Sequence, residues 1–312
     1  MFVQILIAGS TGLVGSATLR AFVAAGHDVT GLNRSVVDLL DSRATEKYVA
    51  RMKPEVIIDA AARVGGIAAN SAYPVDFLSD NLKIQENLLN AAHLASVEKF
   101  VFLGSSCIYP RDSVQPIKEE YLMSGPLEST NSAYAMAKIA GIELVNSYRR
   151  QYKKKWISLM PTNIYGPGDN FDLTVSHVLP ALIRRFIEAT ECKSGEVTLW
   201  GTGNPLREFL HVDDLARAII LTAEKYDSSL HLNIGTGEDL TIKELAERVA
   251  IATGFEGKIE WDPSKPDGTP RKVLDVSRIR SLGWAPTITL DEGIASTIAW
   301  YREANARGEV RK

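Results

Sequence analysis

The stretch Val3-Gln4-Ile5-Leu6-Ile7-Ala8-Gly9-Ser10-Thr11-Gly12-Leu13-Val14-Gly15 decides the reading of the chain. Its first part, Val3 to Ile7, is an apolar run of the kind that forms a strand buried on both faces. The second part, Gly9 to Gly15, spells G-x-x-G-x-x-G and leads into a helix-forming segment, Gly15 to Ala25. Glycines between a strand and a helix permit a tight turn. They also let a pyrophosphate approach the helix N-terminus, where free N–H groups and the dipole favour anions. The pattern alone is a weak signal, but its place between a first strand and a first helix makes it a dinucleotide site.

Outward from this turn, Val29–Leu32, Val56–Ala60, Phe100–Leu103 and Ile157–Met160 are short apolar runs separated by helix-length segments. Buried strands spaced this way imply a parallel sheet covered on both faces. The last third has a different rhythm. Val197–Trp200, Leu230–Ile234 and Lys258–Trp261 read as short strands among loops rich in Gly and Pro. Helices are expected to start at Asp213 or Asp214, and at Thr241, where Glu244 completes a capping box. Lys265–Pro270 must be a loop, since two prolines and a glycine exclude a regular element. The expected fold class is α/β, a Rossmann-type doubly wound parallel sheet with a smaller α/β C-terminal substrate lobe. Residues 1–168 and about 211–240 are assigned to the nucleotide-binding domain, and about 169–210 with 241–312 to the lobe.

At 312 residues the chain is long enough for two such units. With 45% hydrophobic and 23% charged residues it reads as a soluble globular protein. A net charge of -3 supplies no basic face, so no nucleic acid partner is expected. Two cysteines, Cys107 and Cys192, are too few for a disulfide framework and suit a reducing compartment. The opening segment Phe2–Ala8 enters a strand with no charged region ahead of it, and no apolar run nears the ~20 residues of a membrane helix. A cytoplasmic protein without a membrane partner is expected, and no metal site is read.

The second strand specifies the cofactor. An NAD site carries Asp or Glu at its end, ~20 residues after the glycine turn. Here the strand ends in Leu32-Asn33-Arg34-Ser35. A carboxylate would repel a 2′-phosphate, whereas Arg34 can hold it bidentately, unless it is a solvated surface arginine. Asn33 and Arg34 therefore point to NADP(H).

Chemistry enters with Ser105, Cys107, Tyr134 and Lys138. Tyr134 and Lys138 lie on a run of strong helix formers at a spacing that puts both on one helix face. The ammonium is expected to lower the tyrosine pKa from its reference of ~10 and so prepare it to hand a proton to a carbonyl oxygen. Lys138 can also reach the nicotinamide ribose. Ser105, at the end of the fourth strand, would bind the same carbonyl oxygen. Cys107 adds a thiol to this pocket, which hydride chemistry alone would not need.

The glycine turn, Ser105, Tyr134-x-x-x-Lys138 and Arg207-Glu-Phe-Leu-His-Val-Asp-Asp214 together resemble the extended short-chain dehydrogenase/reductases that act on nucleotide sugars. Four longer strings narrow the resemblance: Val64–Asn70, Leu103–Pro110, Met160–Pro167 and Ser264–Lys272. They are similar to those of the GDP-4-keto-6-deoxy-D-mannose 3,5-epimerase/4-reductases, over nearly the whole chain.

The resemblance implies a GDP-sugar substrate whose C4 ketone acidifies the hydrogens at C3 and C5, and a product, GDP-L-fucose, formed by epimerisation and then reduction. It makes Cys107 and His177 the epimerisation pair. A thiol near pKa ~8.5 is a plausible base beside positive neighbours, and histidine titrates in the working range. It also implies that Leu103, Gly104, Pro161, Thr162, Asn163, Ile164, Lys138 and His177 line the cofactor, and that Arg185, Trp200, Arg207, Asp267 and Lys272 bind substrate.

Taken singly, these residues have blander readings. Such a cysteine is usually a small buried apolar residue, and a histidine at a helix start is often a cap or a surface group. Trp200 alone reads more readily as core, and the cations as solvated charges. Cys192 lacks such neighbours and reads as a bystander, and His211 as structural. Related 4,6-dehydratases carry Asp-Glu where Ser106 and Cys107 stand. Some members carry a basic residue in place of Thr11, which leaves the 2′-phosphate to Arg34. The competing readings are a 4-epimerase or 4,6-dehydratase that recycles NAD, and a non-catalytic NADP-sensing regulator, which would tend to lose the Tyr/Lys pair. The resemblance further implies a homodimer in which Asn81–Leu94 and Ser132–Tyr148 pair with their symmetry mates in a four-helix bundle, although core packing would produce the same apolar stripes.

Overall fold

A computed structural model describes residues 3–265 and 267–311; Phe2 of the expected first strand and Pro266 of the expected loop lie outside them. The first half runs β1 (Gln4–Ala8), α1 (Leu13–Ala24), β2 (Asp28–Leu32), α2 (Ser42–Met52), β3 (Val56–Asp59), α3 (Ile67–Ala72), α4 (Pro74–Leu94), β4 (Lys99–Leu103), α5 (Ser132–Tyr152) and β5 (Ile157–Pro161). There follow β6 (Asn163–Tyr165), α6 (Val178–Glu191), β7 (Glu196–Trp200), β8 (Leu206–Arg207), β9 (Phe209–His211), α7 (Val212–Lys225) and β10 (Leu232–Ile234). The chain closes with β11 (Leu240–Thr241), α8 (Ile242–Thr253), β12 (Lys258–Asp262), β13 (Arg271–Lys272), α9 (Ser277–Ser281) and α10 (Leu290–Ala306).

Six strands form one parallel sheet in the order β10-β5-β4-β3-β1-β2. Ile5, Leu6, Ile7 and Ala8 are almost wholly buried, as strands covered on both faces require. The order reverses between β1 and β3, and in such sheets ligands sit outside the carboxyl ends of the strands at this switch. A second apolar cluster joins α6, α8 and α10 through Ile183, Phe186, Leu245, Val249, Ile294 and Ile298. Leu274, Val276, Ile279 and Trp284, late in the chain, pack instead with the core of the large sheet.

Several boundaries differ from the expected ones for local reasons. Helix α1 starts at Leu13, capped by the extended Gly12. Helix α4 starts well before Asn81, with Pro74 in its first turn, where the missing N–H is no loss. Helix α7 starts at Val212, because the His211 ring accepts the Asp213 N–H at 3.3 Å and caps it. The capping box of Thr241 and Glu244 forms as expected, and Thr289 with Glu292 makes another on α10. The described residues of the Lys265–Pro270 loop form neither helix nor strand.

One close approach positions the site. A Cβ on Gly141 would overlap the Phe102 ring and come within 2.8 Å of Gln85 Oε1. Glycine there lets α5 lie hard against the end of β4. Gly141→Ala is therefore expected to lift α5 from the sheet and destabilise the fold by about 1–3 kcal/mol, measured by urea unfolding.

Candidate active site

The glycine turn takes the shape its sequence demands. Gly9 has φ +77°, and a Cβ there would come within 2.6 Å of the Ala60 carbonyl oxygen. A Cβ on Gly15 would overlap the Gly9 carbonyl. Gly9 and Ser10 donate their N–H groups to Leu32 O, and Ser16 donates to Gly12 O. The first N–H groups of α1, those of Leu13, Val14 and Gly15, lie before the first bond of the helical ladder and are free for an anion. Ser10, Thr11 and Gly12 stay at least partly open to solvent. This cradle fits a dinucleotide pyrophosphate. Arg34 lies just beyond β2 with its side chain 78% exposed and 3.7 Å from Asp38, so it is free to turn. Asn33 is occupied as a turn, its Oδ1 accepting the N–H of Ser35 at 2.9 Å.

The carboxyl ends of β4 and β5 hold the next group. Lys138 is buried at 3% exposure and donates from Nζ to Leu103 O at 2.8 Å. Its ammonium sits 4.8 Å from the Phe102 ring centroid and 5.9 Å from that of Tyr134. Gly104 donates its N–H to Leu159 O. Pro161, Thr162, Asn163 and Ile164 continue from β5 into β6, where Thr162 and Asn163 both donate side-chain hydrogen bonds to Glu208 O.

The electrostatics of Tyr134 correct the expectation from spacing. Its pKa is pushed up: burial is the largest cause, the Cys107 charge adds to it, and a hydrogen bond with Ser105 opposes it. Helical spacing brings the ammonium near but says nothing of desolvation, which disfavours phenolate more strongly. Lys138 is lowered by burial and raised by Asp59.

Cys107 is the middle residue of a short 3-10 turn, Ser106–Ile108, capped by Ser105 Oγ, which accepts the Cys107 N–H at 3.2 Å. Two donors face its sulfur. Asn131 Nδ2 lies 3.4 Å from Sγ and Lys272 Nζ lies 3.7 Å from it. Cys107, Arg111, Glu128, Asn131, Thr269 and Lys272 line one cleft. Lys272 arrives on β13, which runs parallel to β8 with Lys272 opposite Arg207, so the two cations stand side by side. Arg207 donates to Leu206 O at 2.8 Å, and among the charges acting on it are those of Cys107, Asp267 and Glu128.

His177 precedes α6 without capping it by its side chain. The residue is open to water, yet the protein packed around the ring and the Lys272 ammonium both push its pKa below the ordinary histidine range. Lys272 thus acts on both Cys107 and His177.

Trp200 is 60% exposed and so is no core residue, with Lys265 Nζ 5.6 Å from its ring centroid. Asp267 accepts from Thr202 N at 2.7 Å and Thr202 Oγ1 at 2.8 Å, which ties the Pro/Gly loop to the segment after β7. Arg185 is half-buried on α6. Its neighbour Arg184 is not solvated but donates to Glu188 and to Phe171 O. Cys192 is exposed and free.

Asn131 and Glu128 were not legible as site residues, since no spacing links them to Cys107. Asp59 left a faint signal, an acid closing the apolar run Val56-Ile57-Ile58. Among the described residues no cluster suited to a metal ion is found, and no helix is long and apolar enough to cross a membrane.

Residues 5–235 match the model of the NAD dependent epimerase/dehydratase family. The chain is 53% identical to a probable GDP-L-fucose synthase 1 of Oryza sativa subsp. japonica, over 96% of this chain and 92% of that protein. It is 48% identical to the GDP-L-fucose synthase of Escherichia coli (strain K12), over 97% of this chain and 98% of that one. Among solved structures it resembles a GDP-L-fucose synthetase from Naegleria fowleri bound to NADP. The TM-score is 0.90 and the identity 29%, covering 99% of this chain and 96% of that one.

The shared position of Lys272 yields a test. Lys272→Met removes a positive neighbour, so the His177 titration midpoint, followed by proton NMR of its ring, is expected to move up. The same variant should slow alkylation of Cys107 in a Cys192→Ser background.

Proposed function

We propose that this chain, which belongs to the NAD dependent epimerase/dehydratase family, converts GDP-4-keto-6-deoxy-D-mannose to GDP-L-fucose. The reaction is 3,5-epimerisation followed by NADPH-dependent reduction at C4. The observation that carries this reading is the convergence of a thiol, Cys107, with the Ser105, Tyr134 and Lys138 group at the end of one strand. A reductase alone has no use for the thiol, and an epimerase that recycles its cofactor has none for net reduction.

NADPH would be held by the glycine turn Gly9–Gly15, by Asn33 and Arg34 at its phosphate-bearing ribose, and by Leu103, Gly104, Ser105, Lys138, Pro161–Ile164 and His177. When bound, it supplies the hydride to C4.

Cys107 takes the proton from carbon, with Asn131 and Lys272 stabilising negative charge on its sulfur. His177 returns a proton from the other side. The substrate diphosphate pairs with Lys272 and Arg207, and with Arg185, so its charge offsets the Lys272 field that disfavours imidazolium. Binding thereby prepares the acid. Tyr134, kept protonated by its raised pKa, gives its proton to the C4 oxygen, and Ser105 holds that oxygen. Trp200 and Asp267 lie on the lobe side and bound the nucleotide end. The division of the chain into a nucleotide-binding domain and a substrate lobe belongs to the same proposal.

A homodimer in the cytoplasm is also proposed. Helices α4 and α5 pack on each other and leave Leu94 and Met136 substantially exposed on their outward faces, which a second copy would cover in a four-helix bundle. Sedimentation velocity should show a dimer, with Met136→Glu shifting it to monomer.

The decisive assay supplies NADPH and GDP-4-keto-6-deoxy-D-mannose and identifies the product by NMR. Net NADPH oxidation with inverted C3 and C5 is expected; absence of NADPH consumption would refute the reading. Cys107→Ser should release a 4-reduced product with uninverted centres. Tyr134→Phe should suppress reduction by about 100-fold or more while deuterium still enters C3 and C5.

A further inference from the structure

Asp59 is the last residue of β3 and is wholly buried. One carboxylate oxygen accepts the Ala61 N–H at 3.1 Å; the other, Oδ2, is buried with no hydrogen-bond partner among the described residues. An unpartnered buried carboxylate is costly, so something must offset it.

The register of the sheet shows what it faces. Asp59 stands opposite Phe102 of β4 in a parallel pair, and residues opposite one another in such a pair project to the same face. The Phe102 face is known, because its ring lies under Gly141 of α5 and beside the Lys138 ammonium. Asp59 therefore projects toward α5, where Lys138 is itself buried and bonded to Leu103 O. From α4 the same layer receives neutral Asn81 and Gln85, the latter donating to Ala137 O. Among the described residues, Lys138 is the one charge that acts on Asp59, and Asp59 the one that acts on Lys138.

We propose that Asp59 is a positioning residue for the reduction: it is the buried counter-charge of Lys138, and it keeps that ammonium protonated and fixed beside Tyr134. Burial holds the Asp59 pKa up, at about 6, while Lys138 draws it down, so the carboxylate is ionised at neutral pH. A buried lysine without a counter-charge loses its proton readily; with Asp59 it stays a cation where the proposed proton donor and the cofactor ribose need one. Below about pH 6 Asp59 is neutralised and the pair dissolves. This inference rests on the proposed reaction for its consequence, but not for the pair itself.

The pair is tested first in the cofactor-free protein, by side-chain 15N NMR of labelled lysines, with Lys138→Met identifying the Lys138 signal. Asp59→Asn keeps the shape and the acceptor for Ala61, and should move the deprotonation of Lys138 to lower pH; Asp59→Glu should restore it. An unmoved midpoint in Asp59→Asn overturns the proposal. The second arm follows NADPH oxidation against pH. Asp59→Asn should shift its alkaline limb to lower pH and slow reduction by about 10-fold, with deuterium entering C3 and C5 at the wild-type rate. A slower enzyme whose limb does not move indicates structural damage only, and also overturns it. Wild-type protein that oxidises no NADPH refutes the proposed reaction instead, leaving the NMR arm to decide the pair.

Discussion

The ammonium of Lys138, buried under α5 and tied by a hydrogen bond to Leu103 O, is the point around which the rest of the structure is arranged. Removing a charged amine from water carries a penalty of several kcal/mol unless it is bonded and balanced. The fold meets that requirement with a carbonyl at the end of β4, the face of Phe102 and the carboxylate of Asp59. Each lies at the carboxyl edge of the parallel sheet. That edge is where the glycine turn after β1 also opens, so anion cradle and proton machinery share one rim.

Burial governs the chemistry of that rim more than pairwise charge does. Tyr134 has an ammonium nearby and still keeps its proton more firmly than a free tyrosine, because desolvation of the phenolate dominates. A proton donor gains from this, since it enters the proposed reaction protonated. At His177 burial is again the larger cause, and the Lys272 ammonium adds to it. Lys272, arriving on β13, also stands 3.7 Å from the Cys107 sulfur.

How much of this could be read from the chain varies by residue. The apolar run before Gly9, the Tyr134 and Lys138 spacing and the Thr241 to Glu244 capping box are local signals, and each formed the element expected. The contact of Lys272 with Cys107 joins residues 165 apart in sequence and depends on a two-residue strand docking beside β8. No periodicity announces such a short strand. Asn131 was invisible because its role comes from the turn that faces it toward the sulfur. The direction of the Tyr134 pKa was misjudged because spacing encodes proximity and not dielectric. The hydrogen bond from Arg184 to Phe171 O likewise exists only once α6 has packed.

The sequence by itself determined the parallel α/β sheet, the glycine turn between its first strand and first helix, and the placing of Tyr134 and Lys138 one helical turn apart. Strand burial, glycine geometry and helical spacing are short-range properties written within a few residues. Only the tertiary structure decided which charges meet and how strongly each group holds its proton. Those depend on desolvation and on distances between segments far apart in the chain, quantities that exist only after the sheet has closed and α5 has settled onto β4.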